Sequence, residues 1–218
     1  MDTERLRIAL ALPVSKGAHA NLADGACIME LASYVAGEAW SDAPVCVSPC
    51  IAAFLRHWND DLADTDRHIL LPLLPTILHT VAPEKEDLRV YMILDWMVRV
   101  ALPSWLALSD GLSGWAMALR DAARITSAQT LQQISPILFS ARAAAQEAIE
   151  GATAQAAWDA AARAAWDAAA RAAWRAAGGT AWGTAWDAAA RAAWQLLQPT
   201  ISFLQASALD LVKRLAYA

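Results

Sequence analysis

Apolar positions recur at helical spacing along this chain, and the residues between them mark out a succession of helices. Ile51, Phe54, Leu55 and Trp58 share one face behind Ser48-Pro49, a cap followed by proline at the first helical position, and the acidic turn Asn59-Asp60-Asp61 closes that helix. Upstream, Asn21 as cap with Asp24 three residues on predicts a helix to about Ala36, stopped by Gly37, after which residues 38–47 read as a loop. A helix starting at Asp64 or Thr65 is interrupted at Pro72, where a new first turn absorbs both Pro72 and Pro75 and makes a kinked pair. The next opens at Pro83 with Glu84, Glu86 and Asp87 where the helix dipole favours anions. It is apolar nearly all round from Leu88 to Leu102 and is expected to be the central core helix. Pro103 bends or ends it, Ser109-Asp110-Gly111 turns the chain, Leu112 to Ile125 forms a shorter helix, and an ordinary amphipathic tail runs from Pro199.

Between these parts lies an alanine-dominated tract with three identical octads, Asp-Ala-Ala-Ala-Arg-Ala-Ala-Trp, at 159–166, 167–174 and 187–194. Trp158, Trp166, Trp174, Trp182, Trp186 and Trp194 keep one phase modulo four, even across the insert holding Gly178-Gly179. Neighbours four apart on a helix differ by about 40°, so the six form a slowly winding ridge, and Trp158 and Trp174 end about 160° apart. One flat neighbouring surface does not cover such a ridge. Asp159, Arg163, Asp167 and Arg171 make a second ridge of opposite charges four apart, each pair worth about 0.2–0.5 kcal/mol. With alanine's high helix propensity, the tract is expected to be helical, weakest at the glycine pair, and the heptad pattern of a coiled coil is absent. Six tryptophans left in water would be an adhesive strip, so the ridge is expected to be an interface.

Composition narrows the class. The 218 residues suffice for a buried core, and 11 Trp beside only 3 Phe, 3 Tyr, 9 Gly and 9 Pro argue against a many-turned β architecture. A net charge of −5 lacks the footprint of a general nucleic-acid or anionic-membrane binder. Three cysteines are too few for a disulfide scaffold, the N-terminus lacks a secretory apolar stretch, and Asp95, Arg99 and Pro103 interrupt the longest apolar run, so a cytoplasmic protein is expected.

Candidate chemistry is sparse. His19, Cys27, Cys46 and Cys50 supply the ligand types of a tetrahedral zinc site, although their spacing matches no recognised knuckle, and the opposing assignment makes Cys27 and Cys50 small core residues. Cys27 lies three residues from both Asp24 and Glu30, and His19 with Cys27, or His57 with any thiol, is a conceivable Cys/His nucleophilic pair. No phosphate loop, His-Glu-x-x-His or serine elbow is present. Asp95 and Arg99 stand four apart in an apolar helix, either as a structural ion pair or as the polar floor of a ligand pocket with Trp58 and Trp96 as walls and Asn59 as hydrogen-bonding group.

The run AHANLADGACIMELASYVAGEAWSDAPVCVSPCIAAFLRHWNDDL at 18–62 resembles a family of alanine-rich-repeat proteins encoded by actinobacteria and their phages. The likeness continues through LLPLLPTIL at 70–78, DWMVR at 95–99, Pro-Ser-Trp-Leu at 103–106, the Ala-rich tract, and LQPTISFLQASALDLVKRL at 197–215. Relatives often carry Cys-Val-Cys-Pro, whereas Cys46-Val47-Ser48-Pro49-Cys50 shifts the second thiol, a departure that weakens the case for a shared metal site. The resemblance implies one architecture and a phage or bacterial origin, and brings no activity with it.

Together these features predict an all-α protein: a compact helical domain over 1–126 and a Trp/Ala-repeat segment over 127–218, long, broken near Gly178-Gly179 and packed across the first. The function expected is non-enzymatic assembly in a homo-oligomer through the Trp ridge, without a cofactor. The alternatives are a small-ligand or zinc-binding protein, such as a phage counter-defence factor that sequesters a signal molecule, and a Cys/His-dependent enzyme.

Overall fold

The computed structural model describes residues 2–148, 151 and 182–218, with side chains in the last stretch from residue 197 onward. Helices account for the regular structure among them, and no strand occurs. The chain divides into two compact units: one comprises residues up to Met97 with Ile125–Ala128 and Gln205–Ala218, the other Val98–Arg124 with Gln129–Leu204.

The first unit is built around α2 (Ile28–Ala36), whose Ile28, Met29, Leu31, Ala32 and Val35 are all buried, as are its polar Glu30 and Ser33. Each fully buried Ile, Leu or Met contributes about 1.5–3 kcal/mol, so this short helix carries much of the unit's hydrophobic stabilisation. Three elements pack on it: α1 (Thr3–Leu10), α3 (Pro49–Asp61) and α4 (Leu74–Ile77). Arg5 of α1 donates from Nη1 to the Tyr34 carbonyl at 3.1 Å, with its guanidinium 5.4 Å from the Tyr34 ring centroid. A 3₁₀ turn over Arg67–Leu73 leads into α4, and another over Pro83–Lys85 leads into α5 (Glu86–Trp96). The C-terminal part of α9 (Trp182–Tyr217) meets α4 and α5, and its Leu211, Val212 and Leu215 enter the same core.

A π-helical turn over Met97–Ala101, in the second unit from Val98 on, precedes α6 (Leu102–Leu106), which packs on α7 (Ser113–Arg120), the two burying Leu106, Ala116 and Leu119. Helix α8 (128–148) buries Ile134 and Ala141, seven residues apart and so on one face. The N-terminal part of α9 belongs to this unit too.

Several expectations hold where signals are local. Ser48 caps α3 by accepting from the Ile51 amide at 3.3 Å with Pro49 in the first turn, and Gly37 ends α2 in the left-handed region at φ 78°. Others need correction. Helix α2 starts at Ile28, because Gly25 at φ 123° turns the chain sharply and the Cys27 side chain caps instead, while Asn21 and Asp24 bond each other in a surface turn. The N-terminal segment contains α1, capped by Asp2 through the amides of Glu4 and Arg5. Helix α5 is peripheral rather than central: Leu88, Val90 and Met97 are exposed, and the side chain it buries is Arg89. Pro199 lies inside α9, which is continuous from Trp182. The expected break at Gly178-Gly179, and Trp158, Trp166 and Trp174, lie outside the described residues, as do the side chains of Trp182, Trp186 and Trp194.

Candidate functional site

The polar groups of the first unit gather into two clusters. The first forms where the irregular segment 11–27 folds over α2 and α3. Glu30, 1% exposed, receives three donors: the His19 amide at 2.5 Å, His19 Nδ1 at 2.9 Å and the Cys27 amide at 2.8 Å. Burial pushes the Glu30 carboxyl up, but those donors outweigh it and hold the group below the usual carboxylate range. An ionised carboxylate only accepts, so His19 Nδ1 is the donor in this contact. The Trp40 indole donates to the His19 carbonyl at 2.8 Å and fixes the segment from its other side.

Asn59 anchors the same segment from α3. Its Nδ2 donates to the Ser15 carbonyl at 2.9 Å and to Asp60 Oδ1 at 3.0 Å, its Oδ1 accepts from the Ile28 amide at 3.3 Å, and its carbonyl accepts from buried Arg67 at 2.8 Å. Asp60 also receives the Gly17 amide at 2.9 Å, and that bond first, helped by Asn59, keeps its carboxyl below the ordinary value.

The second cluster joins α3, α5 and α9. Glu86 accepts from Ser48 Oγ at 2.8 Å, the Cys50 amide at 3.2 Å and Arg89 Nη1 at 2.7 Å, while Arg89 Nε donates to the Leu215 carbonyl at 2.9 Å. Burial again opposes ionisation of Glu86, and the bonds from Ser48 and Arg89 overcome it and hold its carboxyl low. A neighbouring bracket is formed by Glu38, which takes the amides of Val45 and Cys46 at 2.6 and 2.9 Å.

The residues singled out by sequence are distributed over these features. His19 and Cys27 meet at Glu30, Cys46 sits at the Glu38 bracket, and Cys50 lies beside Glu86 and Arg89. Among the described residues, no three His, Cys, Asp or Glu side chains converge as a metal site. Cys27 is buried, its sulfur accepts the Glu30 amide at 3.5 Å, and burial pushes its thiol up to about 12, so it is a cap rather than a nucleophile. Burial raises the Cys46 and Cys50 thiols as well.

Trp58 and Trp96 do come together, each against Phe54, with ring centroids 5.9 and 5.8 Å away, and the Trp96 indole donates to Ser207 at 2.7 Å. Asn59 belongs instead to the network under segment 11–27, with both amide protons committed there. Asp95 accepts the Ile125 amide at 2.8 Å, and Arg99 lies in the π-helical turn of the second unit. Sequence pattern overlooked Arg67, Arg89 and Ser15. The available signal for the first two was an arginine beside apolar residues with an acidic residue three positions earlier, Asp64 and Glu86.

No family model, curated protein or solved structure matches the chain in the comparisons made. Among the described residues, no helix is long and apolar enough to cross a membrane.

Proposed function

We propose that this protein acts by association, as a helical assembly protein of bacterial or phage origin that pairs with further copies of itself through its Trp/Ala-repeat helix in the bacterial cytoplasm. The observation that carries the proposal is the outward-facing apolar side chains of the second unit. Phe139 on α8 is 70% exposed and Phe203 on α9 55%, with Trp105, Leu108 and Met117 of the α6 and α7 region also exposed. Large aromatics in water mark interaction surfaces, and these flank in sequence the tract that carries the Trp octads. Alanine permits close helix approach, and the Asp/Arg ladder offers opposite charges to a second copy.

The polar residues of the first unit support the same assignment. Glu30, Asn59, Glu86 and Arg89 are engaged in holding segments together. Sedimentation velocity on the wild type and on the double variant F139E/F203E tests the proposal. The wild type is expected to sediment as an oligomer and the variant as a smaller species with an unchanged helical circular-dichroism signal. A wild type that stays monomeric across a hundredfold concentration range overturns it.

A further inference from the structure

The C-terminal stretch of α9 has one face in the core and one in water. Ala208, Leu211, Val212 and Leu215 are buried, whereas Ala206, Asp210, Lys213, Arg214 and Tyr217 are exposed, Tyr217 at 81%. At about 100° per residue the exposed set falls within about 60° of Asp210, so it forms a single stripe on the side opposite the core. All of it belongs to the first unit. Its two ends are Ala206, with almost no side chain, and Tyr217, whose ring stands in water as interface aromatics do.

The spacing of this stripe is that of a coiled-coil seam, and it reads the same in both directions. Ala206, Asp210, Lys213 and Tyr217 stand 4, 3 and 4 residues apart. Two copies laid antiparallel on this face match at every one of these positions, with a two-fold axis between Leu211 and Val212. Asp210 of each copy then meets Lys213 of the other, and Ala206 of each meets Tyr217 of the other, so each contact is made twice. Opposite charges face each other, and the smallest side chain faces the largest. A parallel pair would set Asp210 on Asp210 and Lys213 on Lys213, which repel, so charge selects the antiparallel orientation. Asp210 Oδ2 takes Arg214 Nε at 2.8 Å within the helix, and a carboxylate has room for a further donor.

We propose that the face of α9 over Ala206–Tyr217 docks antiparallel on the same face of a second copy, with Asp210 and Lys213 as its reciprocal charge pairs. The inference rests on the self-association proposed above and names a surface and an orientation for it. Helix α9 also carries the third octad, 187–194, so this surface continues the element to which association is assigned. Pairing does not require the helix to leave its own core. Arg89 bonds the Leu215 carbonyl and Trp96 bonds Ser207, which holds α9 on α5 while the stripe stays open.

The test is a charge-exchange experiment on the full chain, read by sedimentation velocity. D210K and K213D each set like charges at both contacts and are expected to weaken association about tenfold, with the helical circular-dichroism signal unchanged. The double variant D210K/K213D, and a one-to-one mixture of D210K with K213D, face lysine with aspartate at both contacts again and are expected to associate as the wild type does. A second measurement uses A206C/Y217C in a C46S/C50S background, which leaves buried Cys27 as the one native thiol. Residues 206 and 217 of one helix are about 16 Å apart, too far for a disulfide within a chain, so oxidation is expected to give a covalent species of twice the chain mass. Single charge variants as associated as the wild type, a mixture no stronger than its components, or an associated chain without the disulfide overturns this surface and leaves self-association standing. A wild type that is monomeric at every concentration overturns both.

Discussion

Arg89→Ala is the substitution whose cost the structure defines best. Arg89 is 1% exposed, reaches from α5 to the Leu215 carbonyl near the end of α9, and pairs with Glu86. Its truncation removes a charged hydrogen bond to a carbonyl, worth about 1.5–3 kcal/mol, and the packing of a buried aliphatic stem. It also leaves Glu86 with the Ser48 hydroxyl and the Cys50 amide but no cation. Breaking a buried pair from one side costs about 3–5 kcal/mol, and Glu86 retains some solvent, so a total near 4 kcal/mol is expected. Urea unfolding followed by circular dichroism at 222 nm measures it, and the double variant R89M/E86Q should recover about half because no charge is then stranded. A loss under about 1 kcal/mol for R89A, or R89M/E86Q weaker than R89A, would mean that the contact from α5 to α9 does not hold the C-terminal helix in place.

Three further outcomes are expected. Because the Cys27 thiol is raised in the folded state from its ordinary 9.0 to about 12, the stability it confers is complete below pH 9 and is lost as pH climbs from there towards 12, by up to about 4 kcal/mol; C27S keeps the cap and should flatten that alkaline slope in pH-dependent urea titrations. Gly25→Ala should destabilise the first unit by about 2–4 kcal/mol in thermal melts, since the new Cβ meets the His19 ring at 2.8 Å and φ is unsuited to an L side chain; a change under about 0.5 kcal/mol would show that the segment repacks freely. The pair W166A/W174A should dissociate the assembly in sedimentation experiments, and unchanged mass would make the octad tryptophans decoration rather than interface.

How much was legible in the sequence depended on the distance over which each feature is decided. Ser48-Pro49 and Gly37 act within one helical turn, and their caps stand where the pattern puts them. The all-helical class followed from composition and spacing for the same reason. The start of α2 was misplaced because Asn21 and Asp24 fit a cap motif that Gly25 interrupts, and cysteine is a weak candidate for the role Cys27 performs with Glu30. Helix α5 defeated the pattern altogether. A run with Leu88, Val90, Ile93 and Leu94 looks like core, yet the helix turns Arg89 inward, because its partner is a carbonyl 126 residues away. At the candidate site, His19, Cys27 and Glu30 were visible as a group, whereas Ser15 entered only through its carbonyl's bond from Asn59, 44 residues away, which no spacing rule encodes.

Native mass spectrometry of the purified full chain tests self-association most directly. Each chain weighs 23.4 kDa. A dominant species at a whole multiple of that mass, persisting at low micromolar concentration and collapsing to one chain in F139E/F203E, is the expected spectrum. A single chain at every concentration, wild type and variant alike, would remove association as the basis of what this protein does.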